Sequence, residues 1–148
     1  MYVWQGGIEG GHGVADVLTG KVAPSGRLAD TIAVDIEDYP STPYFGDEIK
    51  NFYVEDIYVG YRYFETAAKE KVCYPFGSGI SYTTFEQKVT GVTLQSDEVV
   101  IKVDITNTGD VAGKDVVQVY YMPAQGALCK PARNLIRFAK TKELQPGE

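Results

Sequence analysis

Two periods of hydrophobic positions divide this chain. Near its start Val14, Val17 and Leu18 fall at i, i+3 and i+4, one apolar face of a short helix predicted over residues 8–20, with Gly20 where a C-terminal cap belongs. From Val99 the period is two. Val99, Ile101, Val103 and Ile105 alternate with Val100, Lys102, Asp104 and Thr106, which predicts a strand over 97–106. Val116, Val117, Val119, Tyr120 and Tyr121 predict a second strand over 114–122, expected to pair with the first in one sheet. Residues 85–94, and Leu135, Ile136 and Phe138 with Lys140-Thr141, supply further strand candidates.

The opening differs. Val3 and Trp4 enter a glycine-rich stretch, Gly6 to Gly13, and read as the tail of a buried strand that turns directly into the helix, an α/β pattern. Residues 27–56 scatter Leu28, Ile32, Val34 and Ile36 among acids, and Tyr39-Pro40 and Thr42-Pro43 keep the backbone extended. A long surface connection follows from this, and such connections often carry function. Ile57-Tyr58-Val59-Gly60-Tyr61-Arg62-Tyr63-Phe64 is β-branched and aromatic, and predicts a strand. Tyr74-Pro75-Phe76-Gly77-Ser78-Gly79 predicts a turn. The composition shifts near residue 84.

The expected fold is α+β by content. An α/β sandwich remnant (residues 1–84) is followed by an incomplete immunoglobulin- or fibronectin-like antiparallel β-sandwich (residues 85–148), with about four strands where a complete one has roughly seven. Each part is small, and missing strands would leave unpaired edges, so a marginal chain prone to associate is expected. The closing Pro146-Gly147 turn with no strand after it, like the short apolar opening, suggests a piece of something longer.

Composition narrows the chemistry. Hydrophobic content of 44% and aromatic content of 12% are globular values. The balance of 14 basic and 20 acidic residues, −6 overall, disfavours nucleic acid as the main partner. No apolar run is long enough to span a membrane, and Met1 does not open a secretory leader, which leaves the cytoplasm as the default expectation. Cys73 and Cys129 lack C-x-x-C spacing and read as free buried thiols. His12 has no ligand partner at helical spacing, so neither a metal nor another cofactor is expected. The early glycines contain no G-x-G-x-x-G and no P-loop, which argues against a phosphate site; a tight strand-to-helix turn accounts for them.

Three sets of residues carry candidate chemistry. Glu9 opens the first helix. A carboxylate there can cap the first turn and meet the helix dipole, line a pocket, or act as an acid/base. Glu55 and Asp56 are adjacent, point apart if extended, and so make a poor general acid/base pair. Tyr58, Tyr61, Tyr63 and Phe64 with Arg62 suit either a sugar-stacking platform or packing between domains.

The order of motifs resembles a known family. Trp4-Gln5-Gly6-Gly7-x-Glu9-Gly10-Gly11, Ala15-Asp16-Val17-Leu18-x-Gly20 and Pro24-Ser25-Gly26-Arg27-Leu28 are followed by Tyr53-x-Glu55-Asp56-Ile57-Tyr58-Val59-Gly60-Tyr61-Arg62-Tyr63-Phe64. Tyr74-Pro75-Phe76-Gly77-x-Gly79-x-Ser81-Tyr82-Thr83, Asn107-Thr108-Gly109-Asp110-x-Ala112-Gly113-Lys114-x-Val116-Val117-Gln118-Val119-Tyr120 and the closing Leu144-x-Pro146-Gly147-Glu148 complete the series. Together they resemble the C-terminal region of family 3 glycoside hydrolases of the bacterial β-glucosidase/β-xylosidase type. Ser78, Ile80 and Asn134 depart from the family's usual residues at positions of packing rather than chemistry.

The resemblance implies a parent that hydrolyses β-linked glucosides or xylosides with retention, using a nucleophile and an acid/base about 5–5.5 Å apart. In that family the nucleophile is an aspartate of a barrel domain and the acid/base is generally a glutamate upstream of Trp-Gln-Gly-Gly. Neither stretch occurs here, so no catalytic residue is assigned. Glu9, Tyr58 and Arg62 are the candidate substrate-lining residues. Three readings stand: an inactive piece of an enzyme, one chain of a split hydrolase that docks on a barrel-bearing partner, and a free-standing carbohydrate-binding or adhesion module.

Overall fold

A computed structural model describes residues 1–148. In chain order the elements are α1 (Gly10–Leu18), β1 (Ile32–Ala33), α2 (Tyr61–Ala67), β2 (Val72–Tyr74), β3 (Phe85–Leu94), β4 (Val99–Asn107), β5 (Val116–Tyr121) and β6 (Asn134–Lys140). Strands dominate, and they pair two by two: β1 with β2, β3 with β4, β5 with β6. The first two pairs are antiparallel. The chain gathers into two compact units, one of residues 1–26, 80–117 and 139–148, the other of 27–79 and 118–138.

In the first unit α1 forms where the apolar spacing predicted it, and Gly20 takes the positive φ of 77° that ends it. Tyr82 ties the helix down by donating its hydroxyl to the Val17 carbonyl at 2.8 Å. The residues before it are not a strand. Tyr2, Val3 and Trp4 are exposed and lie in no strand, the Tyr2 and Trp4 rings resting against each other with centroids 5.3 Å apart.

The β3–β4 hairpin shows how a single residue preserves a pattern. Phe85, Gln87 and Val89 face Asn107, Ile105 and Val103, whereas beyond the bulge Val92 and Leu94 face Ile101 and Val99. Thr90 is the extra residue. Without it the face would continue through Gly91 and Thr93, and with it the face stays apolar to the hairpin's end. That end is open, with Leu94 78% exposed and Val92 61%.

β4 does not pair with β5 as the sequence suggested. Its far end is turned by Asn107, whose Oδ1 accepts from Gly109 N at 3.1 Å and whose Nδ2 donates to the Val111 carbonyl at 2.9 Å. The chain then bridges Gly113 to Leu144 instead of folding back as a hairpin. β4 finds its partner in β3, and β5 finds β6.

In the second unit the stretch 57–64 is not a strand either. Gly60 adopts φ 60°, ψ −127°, a conformation reserved for glycine, and a helix starts at Tyr61. Helical spacing places Phe64 and Ala68 on one face, and both are buried with Ala33. Tyr39 packs edge-on against Phe64 at 5.4 Å, while its hydroxyl donates to the Thr31 carbonyl and accepts from Ala33 N. The strand preference of the aromatics gave way to burial of one of them. Between β1 and α2 the chain runs largely without regular structure, as predicted, apart from two single turns at Ile36–Asp38 and Thr42–Tyr44. Asp35 and Asp38 close the first turn as a reciprocal capping box.

Asp38 also pairs with Lys71 at 2.9 Å. The Lys71 ammonium holds the Asp38 carboxyl below its ordinary range, and Asp38 in turn raises Lys71. A depressed carboxyl pKa means stability present above the unfolded value of about 4 and lost as pH falls through the folded one. The midpoint of thermal unfolding is therefore expected to fall less steeply below about pH 4 in Asp38→Asn than in the native chain. Equal slopes would show that the pair contributes nothing. Cys73 and Cys129 are free, as expected, but exposed rather than buried, Cys73 lying on a short strand with one open side.

Candidate functional site

Glu9 belongs to the first unit and stands immediately before α1. It occupies the N-cap position but makes no side-chain cap, which corrects the capping expectation. Its backbone (φ −88°, ψ 0°) is not the extended form from which a cap side chain folds back on the helix amides. The carboxylate instead meets His12 Nδ1 at 2.6 Å, one turn along, with both side chains in solvent. The contact is a surface one, which leaves the Glu9 side chain 81% exposed.

Tyr58 and Arg62 belong to the second unit and are half-buried. Tyr58 ends a turn in which its N–H donates to the Glu55 carbonyl at 2.8 Å. Asp56, inside that turn, holds φ 47°, the one non-glycine residue of the chain in the left-handed region. Arg62 lies in the first turn of α2, and its carbonyl accepts the Thr66 hydroxyl at 2.6 Å. Tyr58 and Arg62 are thus held close in sequence, on the approach to and the start of one helix.

The rest of the aromatic run is committed to packing. Tyr61 stacks on Phe76 with ring centroids 4.4 Å apart and planes 19° apart, and Tyr120 meets it edge-on at 6.2 Å. The Tyr61 hydroxyl accepts from Leu135 N at 2.7 Å. One helical turn on, Glu65 pairs with Arg133 and, at 3.4 Å, with Lys69. Arg133 in turn lies 4.9 Å over the Tyr120 ring. The Tyr120 hydroxyl donates to Gln118 Oε1 at 2.6 Å, and Gln118 Nε2 donates to the Gly77 carbonyl at 3.0 Å. Burial raises the Tyr120 hydroxyl above its ordinary range, against the opposing pull of Arg133.

This network was not read from the sequence. Its signal was the i, i+4 spacing of Tyr61 and Glu65, invisible while the segment is taken as a strand. Gly77 is where the network needs glycine. Its φ is 77°, and a Cβ there would fall 2.2 Å from Gln118 Oε1. Glu65 is matched by two cations, so its carboxylate is a structural anchor rather than a free base. No group of three His, Cys, Asp or Glu side chains is placed to hold a metal ion, and no helix is long and apolar enough to cross a membrane.

The model of the glycosyl hydrolase family 3 C-terminal domain matches residues 1–82. This chain belongs to that family. Along its whole length it is 53% identical to a β-glucosidase of Ruminococcus albus and 51% identical to β-glucosidase A of Butyrivibrio fibrisolvens. It covers only 16% of the first and 20% of the second. Among solved structures, a β-glucosidase from Paenibacillus barengoltzii superposes on 98% of the chain with a TM-score of 0.94 at 59% identity. β-Glucosidase 3B from Thermotoga neapolitana in complex with glucose superposes on 99% of it with a TM-score of 0.92 at 45% identity. The chain covers 16% and 21% of those two proteins. This family 3 chain therefore corresponds to the C-terminal region of much longer proteins, as its ordered motifs implied.

Proposed function

We propose that this chain is a structural part of a family 3 β-glucosidase-type hydrolase and does not hydrolyse glycosides by itself. In this reading residues 1–84 close the parent's α/β sandwich domain and residues 85–148 begin its fibronectin type III-like domain. The parent cleaves β-linked glucosides or xylosides with retention, and Glu9, Tyr58 and Arg62 contribute to the walls of its sugar site. The observation that carries the reading is full-length similarity to β-glucosidases of which the chain covers about a fifth or less. The geometry supports the inactivity. The exposed Glu9 is engaged with His12, and the half-buried Glu65 is engaged with Arg133 and Lys69.

A retaining mechanism needs two carboxyl groups facing each other across the scissile bond. Purified chain is expected to release no aglycone from an aryl β-glucoside or β-xyloside above the uncatalysed rate, and Glu9→Gln is expected to leave that baseline unchanged. Turnover by the native chain that vanishes in Glu9→Gln would overturn the reading. Restoration of turnover on adding a separately expressed barrel-bearing polypeptide would favour the split-enzyme form of it, in which this chain completes a partner.

A further inference from the structure

β4 has one satisfied side and one open side. Its sheet holds only β3 beside it, so the opposite edge carries no strand. Asn107 shows which residues serve that edge. Its N–H donates to the Glu148 carbonyl and its carbonyl accepts from Gly147 N, both at 2.9 Å, away from β3. Thr108 N turns the other way, to the Thr84 carbonyl on the β3 side. Backbone groups alternate sides along a strand, so Val99, Ile101, Val103 and Ile105 aim theirs outward as Asn107 does. No backbone group outside the hairpin bonds to these residues. Gly147, at φ 78°, and Glu148 form a glycine bulge against Asn107 and close the edge there. The outward ladder is open from 99 to 105 and stopped at 107.

Such an edge pairs with a strand of matching length and pattern. The outer edge of β3 is blunted by its extra residue, Thr90, whereas β4 runs in unbroken register. We propose that β4 pairs antiparallel with β4 of a second copy, joining two hairpins into one sheet about a two-fold axis at Lys102. In that register Val99 meets Ile105 of the second copy and Ile101 meets Val103 of that copy, so every open position is used. A register centred on Ile101 would set Ile105 against the hairpin turn at Gln95–Glu98, and one centred on Val103 would set Val99 against the closed Asn107. Val99, Ile101, Val103 and Ile105 share one face with Val89, Val92 and Leu94, so a polar strand would face an apolar row, while a second β4 brings the same row. Val99 is 57% exposed and Ile101 38%, which leaves apolar surface for that contact to cover. On the opposite face Lys102 meets its own copy, with Asp104 of the second copy diagonal to it as an opposite charge. One strand edge is small beside the roughly 800 Å² per partner of a standard interface, so the dimer is reversible and forms in the micromolar range. The pairing uses nothing of the glycosidase reading, and either can fail without the other.

Sedimentation velocity of the whole 148-residue chain, from low micromolar to submillimolar concentration, is expected to show a monomer–dimer equilibrium. Ile101→Pro removes an outward N–H and none of the bonds to β3, so it is expected to weaken association at least about tenfold while the circular dichroism stays native. Cross-linking reads the register. Residues 102 of the two copies form a non-hydrogen-bonded pair with Cα atoms about 4.5 Å apart, within disulfide reach. With the exposed Cys73 and Cys129 changed to serine, Lys102→Cys is therefore expected to give a covalent dimer in a glutathione redox buffer. Asp104→Cys, which faces Val100 of the second copy, is expected to stay monomeric in the same buffer. If Ile101→Pro does not fold, the two surface cysteine variants decide alone. A chain monomeric throughout, a dimer indifferent to a folded Ile101→Pro, or Asp104→Cys cross-linking as readily as Lys102→Cys would each overturn the pairing.

Discussion

Replacing Asn107 by alanine is expected to cost about 3–5 kcal/mol of unfolding free energy. Asn107 is 0% exposed, and every hydrogen-bonding position of its carboxamide is used. Oδ1 accepts from Thr83 Oγ1 at 2.7 Å and from Gly109 N at 3.1 Å. Nδ2 donates to the Val111 and Leu144 carbonyls, both at 2.9 Å. Its own backbone is paired as well, the N–H with the Glu148 carbonyl and the carbonyl with Gly147 N.

One side chain therefore joins the start of β3, the turn after β4 and the closing segment of the chain. Alanine would leave four partners without this amide, two of them carbonyls facing the space it vacates. An unsatisfied buried group costs about 1–3 kcal/mol. Asn107→Asp keeps the two acceptor contacts but sets a carboxylate against the Val111 and Leu144 carbonyls, so it is expected to be as damaging near neutral pH. Thr83→Val removes a single bond and should cost about 1–2 kcal/mol. Urea unfolding measures all three, and a midpoint shift at constant slope identifies a loss of native stability. A cost for Asn107→Ala no larger than that of Thr83→Val would show the network to be dispensable.

The second large effect belongs to Phe64. Its side chain is 1% exposed, and it is the one large apolar residue fully buried in the chain. Around it stand Ala33, Ala68, Tyr39, Tyr63 and Val72, so β1, α2 and β2 are all packed through this ring. Phe64→Ala is expected to destabilise the chain by about 3–5 kcal/mol, the usual cost of emptying a phenylalanine site. Phe64→Leu, which keeps most of the volume, should cost markedly less. The small neighbours Ala33 and Ala68 cannot expand into the space, which places the alanine variant toward the upper part of that range. Thermal unfolding of both variants, followed by aromatic circular dichroism, checks the order. Equal losses for leucine and alanine would mean that the ring's edge contacts with Tyr39 and Tyr63, not its volume, hold the cluster together.

Much of the molecule was legible in its residues. The i, i+3, i+4 spacing of Val14, Val17 and Leu18 located α1, alternation located β4, and apolar and β-branched runs located β5 and offered β3 and β6 as candidates, because each pattern reflects one element's own geometry. The family was legible from the order of its motifs. The misreadings share a cause. Ile57–Phe64 has the composition of a strand, yet Gly60 and the burial of Phe64 and Ala68 on one face make it a turn and a helix. With the helix came the Tyr61–Glu65 face and its ties to Tyr120 and Arg133, residues far apart in the chain. Strand partners were likewise undetermined by alternation, which specifies the buried face but not the neighbour. Asn107's carboxamide and the Gly113–Leu144 bridge carried β4 away from β5. Glu9 read as a capping carboxylate until its backbone angles and the nearby His12 gave it another partner. Sequence alone determined the periods, the turns and the family, since these are properties of short segments and of their order. Tertiary structure decided which faces meet and which polar groups pair, since those depend on contacts between residues that the chain brings together only when it is folded.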